Sequence, residues 1–223
     1  MSEYRVALEV AGSAAMFMRP DTGSTPISYP VPTFSAAKGM FEAVAWLPHA
    51  YIEPFKVEIC KPILYQRYAT NYGGPLRKPG QLKNKTSFQL YATILVDVCY
   101  RIYGKVKVKQ TSTRGKGDPR WRKRRGVKDY YTILRDRFNE RLEKGQTYYT
   151  PCLGWREFLP NYFGPLRKGT KRELSIDDIL IPSFLFSMWE HHQLKPKYVQ
   201  NWRIVKGILS YLNPIPTEEE LNV

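Results

Sequence analysis

Histidine and cysteine are scarce in this sequence, with three of each among 223 residues. His49 stands alone and His191-His192 are adjacent; neighbouring side chains point in different directions, so the pair forms no natural chelate. Cys60, Cys99 and Cys152 are far apart with no Cys-x-x-Cys, which predicts reduced core thiols and excludes a disulfide framework. There is no GxGxxG or Walker-type phosphate loop, and no pair of carboxylates at the spacing of a two-metal nuclease. Asp177-Asp178 reads as a loop or helix start. Ordinary hydrolase, kinase and dehydrogenase readings fall away, and neither a metal nor another cofactor is expected. No run approaches about 18 apolar residues, the length of a membrane span. The first 30 residues hold no basic-then-apolar leader, so a cytoplasmic protein without membrane contact is expected.

Acid is also in short supply. Twenty Asp and Glu face 35 Lys and Arg, a net charge of +15, while 43% hydrophobic and 25% charged residues keep the chain in the globular range. An excess of that size destabilises a compact fold by self-repulsion unless a polyanion neutralises it. The charge is concentrated: twelve Lys/Arg and one acid, Asp118, lie between Arg101 and Lys128. Within that stretch the run Arg120-Trp121-Arg122-Lys123-Arg124-Arg125 is preceded by Thr111-Ser112-Thr113-Arg114-Gly115-Lys116-Gly117, and Gly, Ser and Thr with repeated charge cannot bury a core. The stretch reads as a loop, either merely solvated or tracking phosphates with Trp121 free to stack on a base. Guanidinium groups bind phosphate through two parallel hydrogen bonds, so an Arg-rich run favours nucleic acid. Gly74-Pro75-Leu76-Arg77-Lys78 recurs as Gly164-Pro165-Leu166-Arg167-Lys168, a turn that can project Arg-Lys at a phosphate or a convergence of turn chemistry.

Patterning predicts the elements. Tyr4–Val10 alternates as a strand; Thr33 or Ser35 caps a helix with Ala37, Met40, Phe41 and Val44 on one stripe, ending near Pro48. Tyr51–Ile63 alternates again, with Phe55, Val57 and Ile59 as its buried set, and 67–85 looks like a long basic loop. Phe88–Val108 is one bent strand or a hairpin broken near Gly104, and Tyr131, Leu134, Phe138 and Leu142 mark a second helix stopped at Gly145. Short strands and proline-rich turns follow, through Leu180–Trp189 and Arg203–Leu212, and the acidic tail after Thr217 is expected to fray. The order strand, helix, strand, strand, helix, strand predicts an α+β, ferredoxin-like domain over residues 1–149 with basic loops at 67–85 and 109–128. A smaller β-rich part would fill 150–223.

One reaction class needs no metal. RNA carries its own nucleophile, the 2′-hydroxyl, and the protein need only hold the strand in line, move a proton and stabilise charge. Lys128, Tyr130 and Tyr131, directly after the basic loop, are the candidates for that work, or else they simply start a helix.

Two stretches carry a resemblance. Ser28-Tyr29-Pro30-Val31-Pro32-Thr33-Phe34-Ser35-Ala36-Ala37-Lys38-Gly39-Met40-Phe41-Glu42-Ala43-Val44-Ala45-Trp46 looks like the first-helix motif of one family. Gly145-Gln146, followed by Pro151-Cys152-Leu153-Gly154-Trp155-Arg156-Glu157-Phe158, is similar to its Leu-Gly-x-Arg-Glu-Phe motif. The family is the CRISPR-associated Cas-five group, type I-C branch, of the RAMP superfamily. The resemblance implies an RNA-recognition-like domain holding the repeat-derived 5′ handle of a CRISPR RNA (crRNA) in the Cascade surveillance complex. Its partners would be the large subunit and the first repeated backbone subunit; contact with target DNA stays open. It also implies metal-independent cutting of the precursor RNA, although the family's Tyr or His before the tryptophan falls on Ala45. The family's Lys-His pair falls on Lys128-Asp129 or Ile133-Leu134, and His49 lies a turn beyond Ala45. Arg19, Tyr29, Lys38 and Arg156 would join the basic loop in binding the handle. The alternatives are a non-catalytic Cascade subunit served by a separate endonuclease, and a basic nucleic-acid-packaging protein without handle specificity.

Overall fold

The computed structural model describes residues 5–23, 25–72, 78–84, 88–109, 129–190 and 193–221. Its strands are β1 (Arg5–Ala15), β2 (Ala50–Ile59), β3 (Leu64–Tyr72), β4 (Phe88–Val108), β5 (Tyr162–Gly164), β6 (Ile179–Glu190), β7 (Gln193–Val205) and β8 (Ile208–Ser210). The helices are α1 (Phe34–Val44), α2 (Pro79–Lys83), α3 (Tyr130–Glu143) and α4 (Glu218–Leu221). The strands form one sheet in the order β5-β1-β4-β2-β8-β7-β6, with β3 paired to β4 off that path. The segment β5-β1-β4-β2 is the antiparallel core of a βαββαβ, ferredoxin-like unit, in agreement with the fold expected from the sequence. β8 then pairs with β2, so the C-terminal strands continue the same sheet.

Both principal helices form where the sequence predicts them. The Thr33 hydroxyl accepts from the Ala36 N–H at the start of α1, and Asp129 caps α3 in the same way through the Thr132 N–H. Gly145, at φ +64°, ends the turn after α3 in the left-handed region that glycine tolerates. The two helices pack on one face of the sheet, with Phe41 and Phe138 5.4 Å apart, above Val6, Leu8, Val10, Ile102 and Val106.

Several expectations are corrected. Of the two alternatives for Phe88–Val108 the single strand holds, as β4 runs unbroken for 21 residues, whereas the region expected to be a loop from 67 holds the greater part of β3 and, further on, α2. β3 hides from pattern reading because Leu64, Tyr65, Gln66 and Arg67 are all exposed. A register shift between Pro54 and Lys56 breaks the alternation of β2, so Phe55 and Lys56 both lie towards Tyr103 on the face opposite Val57 and Ile59, Lys56 buried and Phe55 only half-buried. β6 and β7 form a long hairpin rather than short strands. The tail is not frayed through Leu221: α4 docks on the sheet, with the Glu220 carboxylate accepting from Ser210 Oγ at 2.7 Å.

Candidate nucleic-acid interface

RNA-recognition modules bind bases on the helix-free face of a four-stranded sheet. Here that face is occupied by the protein itself. Glu9, fully buried on β1, accepts from Arg167 Nε at 2.6 Å, Thr170 Oγ at 2.7 Å, the Arg167 N–H at 3.0 Å and Arg101 Nε at 3.3 Å. The Arg101 guanidinium also donates to the carbonyls of Arg167 and Thr170, closing the 165–170 turn over the sheet. Burial alone would raise the Glu9 carboxyl; the hydrogen bonds from Thr170, Arg167 and Arg101 outweigh it and hold the group below the usual carboxylate range. Beside this network the buried Lys56 pairs with Glu58 at 3.0 Å, lies over the Tyr103 ring and donates to the Glu220 carbonyl, so α4 covers the next part of the same face. The second copy of the Gly-Pro-Leu-Arg-Lys turn is thus a structural clasp in which Arg167 meets a carboxylate. In the first copy Gly74, Pro75, Leu76 and Arg77 lie outside the described residues.

The two motifs that carry the family resemblance meet around residues 16–19. Met16 N–H donates to the Leu153 carbonyl at 2.8 Å, while Phe17 donates to Ser28 Oγ and accepts from the Tyr29 N–H. Gly154 sits against this strand at φ +91°, where a Cβ would collide with the Met16 carbonyl. Tyr29, expected among the handle-binding residues, sits inside the fold. Its ring is buried, and its hydroxyl donates to the Ser183 carbonyl and accepts from the Leu185 N–H, standing in for a neighbouring strand along β6. Arg19 is part-exposed and held by Asp21 at 2.8 Å; Lys38 faces Glu42 and the Tyr51 ring; Arg156 is exposed. Arg114, Lys116, Arg120, Trp121, Arg122, Lys123, Arg124, Arg125 and Lys128 lie outside the described residues.

A surface less visible in the sequence lies on the helix side. The chain leaving α1 runs antiparallel to α3, and the contacts follow in order. Arg141 Nε donates to the Val44 carbonyl at 2.6 Å, Arg137 borders a cleft with Trp46 and Pro48, and the rings of His49 and Tyr130 are 5.6 Å apart. Leu47, Tyr148, Tyr149 and Glu42, the last paired with Lys38 at 3.7 Å, line the rest of this open cleft of about 470 Å³. Tyr148 is tied by its N–H to the Ala43 carbonyl and covered by Arg141 at 4.2 Å, and Tyr149 donates to the Gly39 carbonyl. Trp46, Tyr148 and Tyr149 are each about half exposed, at 51%, 54% and 53%, more than folding alone favours for rings of this size. Aromatic faces beside two guanidiniums are the pairing that grips a single strand: rings stack on bases and cations follow phosphates.

His49 follows Pro48 of this cleft and contacts the described residues on both sides of the basic segment. Lys109 N–H donates to the His49 carbonyl at 2.9 Å, and the chain re-enters at Asp129 and Tyr130, the latter against the imidazole. Of the three catalytic candidates, Tyr130 lies against His49, Tyr131 packs half-buried against the core and Lys128 lies outside the described residues. Sequence reasoning reached His49 but missed Arg137, Arg141, Tyr148 and Tyr149. The Arg-x-x-x-Arg spacing on one helical face was the available signal. Among the described residues no group of three or more His, Cys, Asp or Glu gathers as a metal site, and no helix is long and apolar enough to cross a membrane.

No family model matches the chain. Two curated proteins do, each called CRISPR pre-crRNA endoribonuclease Cas5d. That of Thermus thermophilus is 31% identical over 166 residues, covering 72% of this chain and 64% of its own length, just under two thirds. That of Mannheimia succiniciproducens is 31% identical over 174 residues, 71% of each chain. Among solved structures, one described as a CRISPR-associated protein superposes with a TM-score of 0.64 at 17% identity, covering 98% of this chain and 95% of that one. The functionally uncharacterized protein SMU1763c from Streptococcus mutans gives 0.62 at 15% identity with the same coverage, so the whole fold is shared. With its fold matched from end to end and its sequence matched across most of a curated relative, the chain belongs to the Cas5d family of CRISPR-associated proteins.

Proposed function

We propose that this protein binds the repeat-derived 5′ handle of crRNA as a subunit of a type I-C-like Cascade complex in the cytoplasm. It would lie beside the large subunit and the first repeated backbone subunit, with residues 150–223 as a β-rich extension of the RNA-binding domain. The observation that supports this reading is the cleft lined by Trp46, Arg137, Tyr148 and Tyr149, with Arg141 stacked on Tyr148, next to His49, which contacts the residues flanking the basic segment, Lys109 and Tyr130. Arg114 to Arg125, with Arg19, Lys38 and Arg156, would supply phosphate contacts around it. Fluorescence anisotropy with repeat and scrambled RNA across a salt series tests it. Tighter binding of the repeat is expected, with a log–log salt slope of about −0.7 per phosphate contact. Equal affinity for both RNAs would instead favour a packaging protein.

The contact between His49 and Tyr130 favours a second element, metal-independent cutting of the repeat. The 2′-oxygen would attack the adjacent phosphorus as the bond to the 5′-oxygen breaks, leaving a 2′,3′-cyclic phosphate and a 5′-hydroxyl. One group must take the 2′-hydroxyl proton and one must return a proton to the leaving oxygen; an imidazole and a phenol at the strand's entry suit those roles. Incubation with repeat RNA in EDTA should give one discrete product, and His49→Ala should slow it by roughly 10²–10⁴-fold. Tight binding without any product would assign the cutting to a separate endonuclease.

A further inference from the structure

The opposite end of β4 carries a second concave surface, on the outer face of the β3–β4 hairpin. Arg67 pairs with Thr93 and Ala69 with Tyr91, so Arg67, Thr93 and Tyr91 share one face. The Arg67 guanidinium lies 3.9 Å from the centre of the Tyr91 ring, which is 43% exposed. With Thr25, Gln89 and Thr93 these two residues border a cleft of about 330 Å³.

The wall opposite the hairpin is fixed. Thr93 N–H donates to the Pro26 carbonyl at 2.8 Å, its carbonyl accepts from Ser28 N–H at 3.0 Å, and Tyr65 Oη reaches the Ser28 carbonyl. Arg19 joins this wall through its N–H to the Ile27 carbonyl, but its charge is met by Asp21. Arg67 differs, since the contact that orients it is a ring. Stacking uses the face of a guanidinium and leaves its in-plane N–H fork, the part that matches a phosphate, for another partner.

We propose that this cleft binds one nucleotide of a single-stranded nucleic acid, with the phosphate on Arg67 and the base against Tyr91. Thr25, Gln89 and Thr93 supply donors and acceptors for the base edge. A duplex keeps its bases stacked inside and presents none to such a cleft, so the ligand is a single strand. The proposal rests on the reading that the protein holds one RNA strand, and it gives that strand a second anchor. Tyr91 and Lys109, which is bonded to His49, are eighteen positions apart along β4 and the residue after it, about 60 Å at about 3.3 Å per residue if the strand were straight, so the two clefts touch different nucleotides.

Photo-crosslinking of the full-length protein tests this. Repeat RNAs carrying 5-iodouridine at successive positions, and single-stranded DNA of the same sequence with 5-iododeoxyuridine, would be bound and irradiated, and the modified peptides identified by mass spectrometry. The expected result is a crosslink to Tyr91 or Tyr65 from a nucleotide distinct from those reaching Trp46 or Tyr148. Reaction by RNA alone names RNA as the ligand; equal reaction by DNA shows that the site reads base and phosphate without the sugar. Arg67→Ala should weaken binding about tenfold and reduce the salt slope by about 0.7, and Tyr91→Ala, which removes the ring, should weaken binding with the slope unchanged. RNA that crosslinks at Trp46 or Tyr148 but never at Tyr91 or Tyr65, with Arg67→Ala folded and at full affinity, overturns this site and leaves the handle-binding reading standing. A protein that binds neither nucleic acid overturns both.

Discussion

Arg167 holds Glu9 from a position 158 residues away, through its side chain at 2.6 Å and its own N–H at 3.0 Å. The carboxylate is fully buried and the guanidinium is not, so the bond ties the turn after β5 to the middle of the sheet. Truncating Arg167→Ala leaves the carboxylate with fewer donors and should cost about 1–3 kcal/mol of stability. Urea denaturation at pH 7 would measure it. A variant with an unchanged midpoint would show that Arg101 and Thr170 suffice.

The same pair has a pH signature. Because Glu9 is held below its ordinary value when folded, its contribution is complete above about pH 4.3, the unfolded carboxylate value. It is lost as pH falls through the lower folded value. The stability gap between the parent and Arg167→Ala should therefore stay constant from pH 7 to about 5 and shrink on further acidification. A gap that widened in acid would contradict an ionised Glu9.

Tyr29→Phe should act on the fold and spare RNA. It removes the hydroxyl that serves both Ser183 and Leu185, leaving two buried backbone groups without that partner, at about 1–3 kcal/mol. Faster hydrogen exchange is expected at Leu185 and its neighbours on β6, with RNA affinity unchanged at temperatures where the variant is folded. Loss of affinity with an unaltered melting curve would support the handle-binding role expected of it instead.

Trp46→Ala and Arg137→Ala separate stacking from charge in the helix-side cleft. The first should weaken repeat binding by about 1–3 kcal/mol with the salt slope unchanged; the second should lower the slope by about 0.7. Slopes and affinities come from the same anisotropy series. Neither effect in either variant would remove this cleft from the RNA path.

Gly154→Ala tests how the two family motifs interlock. The new Cβ meets the Met16 carbonyl at a backbone angle of +91°, so strain of about 1–3 kcal/mol adds to a clash with backbone that cannot swing away. A large fall in melting temperature or in soluble yield is expected. A variant as stable as the parent would mean that residues 15–17 can shift without consequence.

What could be read from the sequence was whatever local chemistry decides. Thr33 is a capping residue ahead of an apolar stripe, Gly145 follows one, and Phe88–Val108 is too rich in Val, Ile and Tyr to be anything but strand. β3 was illegible because it lies on the edge of β4 with Tyr65 and Arg67 facing outward, which removes the alternation a half-buried strand shows. Phe55 was misplaced by a bulge, which shifts every later residue of a strand to the other face. The helix-side cleft escaped because its walls, 44–49 and 137–149, are brought together by packing alone, and its tyrosines sit in a segment with no periodicity of its own. Glu9 shows the same limit: an alternating acid on a first strand reads as solvent-facing until Thr170 and Arg167 arrive from the other end of the chain.

β4 borders both proposed contact points, since Tyr91 lies near its start and Lys109, bonded to His49, directly follows its end. A ribbon hydrogen-bonded on both sides for much of its length resists stretching, so pulling on one extremity loads the other. Asp97, with its φ of +51°, is where such a beam would pivot. A nucleic-acid strand seated at both extremities would brace it from outside, as a bowstring braces a bow.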